Sequence, residues 1–331
     1  MLADGFGRVA TDLRVSLTDR CNLRCTYCMP AEGLDWTPSE QILSAAELVR
    51  LIALAVAEGV TQVRFTGGEP MLRRDLEEIV AAVAALPVAP SISLTTNGIG
   101  LLRRAGRLRS AGLRRINVSL DTLDRERFAT LTRRDRLEQV VEGLFAAREA
   151  GLDPVKINTV LMRGVNDDET VALARWSIKH GFRLRFIEQM PLDPQHGWSR
   201  NDMVTAAEIL DALQAELVLE PSESARGSEP AETWRVVDPI SGHEGTVGVI
   251  GSVTRPFCQA CDRVRLTADG QLRNCLFAAT ESDLRGPMRA GADDSELVAI
   301  MRRCLEQKKA GHGIDEPTFL QPPRPMSAIG G

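Results

Sequence analysis

Tyrosine is almost missing from this 331-residue sequence, which has one, Tyr27, and lysine is nearly as scarce, with 36 of the 40 basic residues being arginine. There is no run of about 18 apolar residues, so no helix is expected to span a bilayer. The opening MLADGFGRVA lacks the charged and apolar regions of a signal peptide, and a cytoplasmic location is expected. A net charge of -5 and a pI near 5.6 leave no global basic field for coating nucleic acid. Arginine binds phosphate and carboxylate with a planar fork, so any anion site should be local. Seven cysteines in a reducing compartment are poor material for disulfides and better material for metal, cluster or catalytic work. With 44% hydrophobic and 26% charged residues and mean hydropathy near zero, the chain reads as an ordinary globular protein. It is long enough for one large α/β domain with a smaller appendage.

From residue 11 to about 190, short β-type runs alternate with helical ones. Strands are expected at Leu13–Leu17, Gln62–Phe65, Ser91–Leu94, Arg115–Leu120, Val155–Val160 and Leu184–Ile187, and they carry too little polar alternation to be half exposed. Helices are expected over 45–59, capped by Ser44 and closed at Gly59, and over 75–86, with acids in the first turn and Pro87 beyond. Six βα units without a dinucleotide fingerprint predict an incomplete (βα)6 TIM-like barrel over residues 1–218. A C-terminal extension over 219–331 should carry a second metal or cluster site. It opens on EPSESARGSEPAE, 220–232, which has the composition of a flexible surface loop. Short strands at Thr233–Val237 and Thr246–Ile250 and helices at Glu281–Met288 and Ser295–Glu306 should follow.

CNLRCTYC, 21–28, packs Cys21, Cys25 and Cys28 into the loop after the first strand, at the barrel end where catalytic loops gather. Three thiolates suit a 4Fe-4S cluster with one iron left open to an exogenous ligand, whereas four would make a closed electron carrier. A structural zinc site normally wants four ligands, and incidental buried thiols are the other reading.

The spacing, with Tyr27 before the third cysteine, resembles the defining motif of the radical S-adenosylmethionine (SAM) superfamily. Its other stations appear in order: FTGGEP 65–70, TTNG 95–98, VSLD 118–121, KINTV 156–160 and EQMP 188–191. Singly, each could be a turn, a strand end or a core position. The resemblance implies SAM contacts from Tyr27, Gly67, Gly68, Ser119 and Met190, with the glycines letting backbone approach the SAM amino group. It also implies SAM chelated to the open iron, sulfonium cleavage to methionine, and a 5′-deoxyadenosyl radical.

Cys258, Cys261 and Cys275 form a second set inside RPFCQACDRVRLTADGQLRNC. On spacing alone zinc and a cluster are both open, with His243 or Cys304 available as a fourth zinc ligand. Arg263 and Arg265 alternate around Val264 in a strand-like stretch, so both guanidiniums can face one anion beside the metal.

Taken with this second set, the whole chain resembles the GTP-cyclising radical SAM enzymes that open molybdenum cofactor biosynthesis. The resemblance implies a second 4Fe-4S cluster with three cysteines, whose open iron touches guanine. It places GTP against Arg14, Arg64, Thr95, Lys156 and the Arg263–Val264–Arg265 stretch. It sends the terminal Gly330 and Gly331 into the active site. Abstraction of the ribose 3′ hydrogen, attack on C8 and reduction would give 3′,8-cyclo-7,8-dihydro-GTP. An external electron donor, a downstream synthase forming cyclic pyranopterin monophosphate and a possible homodimer are implied with it. The alternatives are a radical SAM peptide maturase with an auxiliary cluster, and a non-catalytic iron-sulfur or zinc protein.

Overall fold

The six barrel strands are β1 (Asp12–Ser16), β2 (Gln62–Thr66), β3 (Ser91–Thr96), β4 (Arg115–Ser119), β5 (Val155–Leu161) and β6 (Arg183–Glu188). They pair in parallel and in chain order in a computed structural model that describes residues 1–222, 226–317 and 319–330. Helices cross over between them: α1 (Ala45–Ala57), α2 (Leu76–Ala84), α3 (Leu101–Ala111), α4 (Arg125–Thr132), α5 (Leu137–Glu149) and α6 (Thr170–Lys179). β4 and β5 are joined by two helices, α4 and α5.

DLRVS and QVRFT alternate polar and apolar residues strictly, and RLRFIE does so over its first four residues, which corrects the expectation of strands with little polar alternation. Their apolar set, including Leu13, Val15, Val63, Phe65, Leu184 and Phe186, is buried in one core beneath the helices. Their polar set faces a cavity inside the barrel, so both faces are covered and the polar one carries function.

α1 begins where sequence chemistry requires. Ser44 accepts the backbone N–H of Glu47, and the Glu47 carboxylate accepts that of Ser44. Gly59, at φ 113°, follows in a conformation that disfavours a side chain. α2 starts at Leu76 with Glu77 and Glu78 in its first turn, while the Asp75 carboxylate bonds Arg73 in place of a cap.

C-terminal residues extend both edges of the barrel sheet. β7 (Val218–Pro221), β8 (Glu232–Val237) and β9 (Glu244–Ile250) follow α7 (Ala206–Gln214), and β9 pairs in parallel with β6. β10 (Arg263–Leu266) pairs in parallel with β1, setting Arg263 beside Asp12 and Arg265 beside Arg14. β11 (Gln271–Arg273) and β12 (Ser282–Asp283) complete a twelve-stranded sheet in the order β12-β11-β10-β1-β2-β3-β4-β5-β6-β9-β8-β7. The helix expected at Glu281–Met288 is instead β12 followed by the short α8 (Arg285–Arg289), because Gln271 and Leu272 recruit Ser282 and Asp283 as strand partners. α9 (Asp294–Glu306) and one final turn, α10 (Met326–Ile329), close the chain. Among the described residues no helix is long and apolar enough to cross a membrane.

Candidate active site

Cys21, Cys25 and Cys28 lie in the loop beyond β1, and backbone bonds pin that loop to the end of α4. The N–H groups of Arg24 and Thr26 donate to the carbonyls of Thr132 and Leu131, each at 2.9 Å. The glycine motif beyond β2 supports the same loop. A Cβ on Gly67 would lie 2.3 Å from the Thr18 carbonyl, and one on Gly68 2.4 Å from those of Asp19 and Arg20. Only glycine permits this approach. Glu69, next in line, is fully buried and accepts bonds from Met71 N, Thr96 Oγ1 and Asn97 N at 2.7–2.8 Å. Burial nevertheless pushes its carboxyl up to about 7.

The three thiols are held neutral in the absence of a metal. Burial, with the Glu69 charge behind it, raises Cys21 to about 11, and burial beside Cys21 raises Cys28 to about 12. Cys25 is raised further by burial and by Asp121. A trio of this kind releases its protons on ligation, as a cluster requires. Tyr27 donates to Asp121 at 2.8 Å, and Tyr27, Gly67, Gly68, Ser119 and Met190 share a cavity wall with the three cysteines.

A second cavity contains the other cysteine set. Cys258, Cys261 and Cys275 line it together with Arg14, Arg64, Thr95, Arg263 and Arg265. Both cavities share Thr95, Asn158, Ile187, Met190 and Met326, so the two cysteine sets stand at opposite ends of one chamber. The fourth zinc ligands considered from sequence are elsewhere. His243 Nδ1 is 2.9 Å from Ser241 Oγ, and Cys304 is buried in α9 with its sulfur toward the Leu272 carbonyl. His312, which the sequence did not single out, lines the cavity but has both nitrogens engaged. Nδ1 accepts the Ile314 N–H at 3.1 Å, which leaves Nε2 to donate to the Ser252 carbonyl at 3.0 Å.

One wall of the chamber is a cluster of buried guanidiniums. The Nε atoms of Arg14, Arg64, Arg263 and Arg265 are buried without a hydrogen-bond partner. Burial, then repulsion from Arg64 and Arg265, pushes Arg14 well down, and burial beside Arg263 brings Arg265 down to about 10. Asp12 is the carboxylate among them, held low by four guanidiniums against the cost of its burial. Val264 turns to the core on the opposite face. Arg185, unremarked in the sequence, belongs to the same set. It is buried, lines the chamber, and donates to Asn117 Oδ1 at 2.8 Å, while Asn117 Nδ2 donates to Thr95 Oγ1 at 3.1 Å. RLR in β6 repeats the alternation that RVR shows in β10, and that was its available signal.

Lys156 is not in this wall. It lines an adjoining cavity with Arg185, Arg226 and Glu229, where burial and then Arg185 bring its ammonium down to about 8. The 220–232 segment is folded over the arginines where it is described. The Ser228 carbonyl accepts Arg263 Nη2 at 2.5 Å, and Arg226 and Arg263 stack on Phe257 at 5.0 and 4.6 Å. Residues 223–225 of that stretch lie outside the described residues.

The tail reaches the chamber. Arg324 forks onto Asp269 at 2.9 and 2.7 Å, Met326 lines both cavities, and the Ser327 backbone N–H bonds the Cys28 thiol. Gly330 sits so tightly that a Cβ would lie 2.4 Å from Ser16 Oγ and 2.6 Å from a Thr66 methyl. Gly331 lies outside the described residues.

The model of the radical SAM superfamily matches residues 15–177, and that of molybdenum cofactor synthesis C matches 182–314. Full-length relatives are the GTP 3′,8-cyclases of Streptomyces coelicolor, 62% identical over all of this chain and 96% of that one, and of Mycolicibacterium smegmatis, 59% identical over all of this chain and 92% of that one. The chain belongs to the GTP 3′,8-cyclase family. A third GTP 3′,8-cyclase, from Corynebacterium glutamicum, is 57% identical over all of this chain and 89% of its own. The solved structure of Streptococcus suis SuiB bound to S-adenosylmethionine shares the fold at TM-score 0.58 and 15% identity, over 89% of this chain and 68% of that one. Methylornithine synthase (PylB) does so at TM-score 0.50 and 18% identity, over 62% of each chain. These set the GTP 3′,8-cyclase architecture within the radical SAM fold, and family membership sets aside the peptide maturase and the non-catalytic alternatives.

Proposed function

We propose that this protein cyclises GTP to (8S)-3′,8-cyclo-7,8-dihydroguanosine 5′-triphosphate in the first step of molybdenum cofactor biosynthesis. The observation that carries the reading is the single chamber, with three cysteines at each end and, between them, buried guanidiniums whose Nε atoms have no hydrogen-bond partner. Cys21, Cys25 and Cys28 would hold one 4Fe-4S cluster, and Cys258, Cys261 and Cys275 in the 219–331 region the other. When bound there, the first cluster would supply the one-electron reduction that SAM cleavage and removal of the ribose 3′ hydrogen need.

The chain's own residues do the rest. Tyr27, Gly67, Gly68, Ser119 and Met190 shape the SAM wall, with the Tyr27 ring fixed by Asp121. Arg14, Arg64, Arg185, Arg263 and Arg265 neutralise the triphosphate, relieving their own repulsion as they do so. Lys156 reaches the same charge from the adjoining cavity. Thr95, oriented through Asn117, stands where the SAM and GTP cavities meet. Met190 and Met326 keep water from the reacting carbon, and Gly330 closes the end by the glycine motif. We place the enzyme in the cytoplasm, fed by an external electron donor and supplying the synthase that forms cyclic pyranopterin monophosphate.

Anaerobic incubation of reconstituted protein with SAM, dithionite and GTP, followed by mass spectrometry, tests this. The cyclic triphosphate is expected from the native chain. Cys25→Ser should form no 5′-deoxyadenosine, and Cys261→Ser should retain the first cluster but lose cyclisation. Normal product from either variant would overturn the assignment of that cysteine set.

A further inference from the structure

Lysine is rare in this chain, and Lys308 is the most deeply buried of the four, at 5% exposure. It follows α9, and a lysine there would ordinarily reach into solvent. Its ammonium instead turns inward and spends all three donors in one place. Nζ is 2.9 Å from the Cys261 carbonyl, 2.9 Å from the Arg263 carbonyl and 3.6 Å from Cys261 Sγ. An ammonium has three N–H donors and no acceptor, so its capacity is filled by the backbone and sulfur of one cysteine and by the next strand's first residue.

Two further contacts tie the same segment to the cysteine loop. Arg8 donates to the Cys258 carbonyl at 2.5 Å while bonding the Lys309 and Ala310 carbonyls, tying the post-α9 segment to the cysteine loop. Asn274 Nδ2 bonds the Cys304 carbonyl at 2.8 Å, fixing the residue before Cys275 against the end of α9. The first set is different. Arg24 there bonds the Cys21 carbonyl at 2.6 Å and not its sulfur, Asn97 Nδ2 is 3.9 Å from Cys21 Sγ, and Asp121 faces Tyr27 beside Cys25. Among the described residues no lysine or arginine side chain donates to a sulfur of the first set.

We propose that Lys308 is a positioning residue for the second cluster. Its ammonium fixes Cys261 against β10 and, by an N–H to sulfur bond, raises the cluster's reduction potential above that of the first. The inference rests on the reading of Cys258, Cys261 and Cys275 as cluster ligands. Its physical basis is general: a positive charge and a hydrogen bond at a ligating sulfur stabilise the reduced, more negative cluster. The second cluster then stays reduced at potentials where the first is oxidised. Neither family motif nor cysteine spacing marks this residue.

The native chain offers a direct test, because it has only four lysines. Reconstituted protein, with Cys21, Cys25 and Cys28 replaced by serine so that only the second cluster gives a signal, is grown with side-chain 15N-lysine and reduced without GTP. Pulsed electron paramagnetic resonance should show a 15N coupling to the cluster, and its absence with iron and sulfide loaded overturns the proposal. Redox titration of full chains then compares Lys308→Arg and Lys308→Gln with the parent. Lys308→Gln keeps donors without charge and should lower the reduced-to-oxidised ratio of the second cluster about tenfold at fixed potential, which is about 59 mV for one electron. The first cluster should not move, and Lys308→Arg should stay near the parent. An unchanged second potential in loaded Lys308→Gln makes the lysine a strut only and refutes the tuning. Absence of any second cluster in the parent refutes the cluster reading itself, a different failure visible in the iron count.

Discussion

Arg185 and Arg265 show what a buried guanidinium costs and how a ligand recovers it. Each is fully desolvated, with burial and neighbouring arginines driving Arg185 down to about 9 and Arg265 to about 10, and each has an Nε with no partner. In the proposed reaction a bound triphosphate would supply the missing acceptors. Arg265→Ala or Arg185→Met should weaken GTP binding about tenfold to a hundredfold, the worth of one charge-assisted bond, while guanosine binding changes little. Equilibrium binding to the two ligands checks this, and equal losses would contradict a phosphate role. Lys156 adds a pH signature. Its ammonium in the free protein titrates near 8, so it is charged below that value and neutral above it. Affinity for GTP should therefore be full below pH 8 and fall as the pH rises through 8, and Lys156→Arg should remove that step. These interior residues were partly legible. RVR was read as two arginines on one face, but RLR in β6 was passed over because the strands were taken as too apolar to alternate. Lys308 and His312 carried no local pattern, since what matters about them is a fold-made contact with a distant loop.

At the scale of elements, the strands and the first two helices were legible because their signals are local: short apolar β-type runs, Ser44 before and Gly59 after the first helix, and acids in the first turn of the second with Pro87 beyond it. The short β12 was not, because two residues become a strand only when Gln271 and Leu272 lie beside them. The tail is the element whose role depends most on placement. Four residues of helix do not hold themselves in a site. Arg324 on Asp269, Ser327 on Cys28 and Gly330 between Ser16 and Thr66 hold them there. Gly330→Ala puts a methyl 2.4 Å from Ser16 Oγ, and Gly330 stands at φ 75°, which also disfavours a side chain. Turnover should fall on the order of a hundredfold, as for a reacting group displaced by about 1 Å, with cluster content and melting temperature near those of the parent. Steady-state cyclisation beside an iron assay decides it, and a fully active variant would free the tail from any role.

For the whole molecule, the sheet explains why two cysteine sets separated by most of the chain share one chamber. β1 leads into the first set, and β10, next to the second set, pairs directly with β1. The sequence showed both sets and the order of the superfamily motifs, but parallel pairing between residues 12 and 263 is a long-range event with no local trace. The polar inner face of eight parallel strands, from β10 to β9, then lines the chamber with arginines. The two cysteine sets thereby open onto one chamber, which is the arrangement the proposed reaction needs. The most direct test is to supply GTP deuterated at the ribose 3′ position, with SAM and dithionite, and to weigh the 5′-deoxyadenosine formed. Deuterium in that product is the predicted result. Cleavage of SAM with no deuterium transfer, by protein carrying both clusters, would contradict the account.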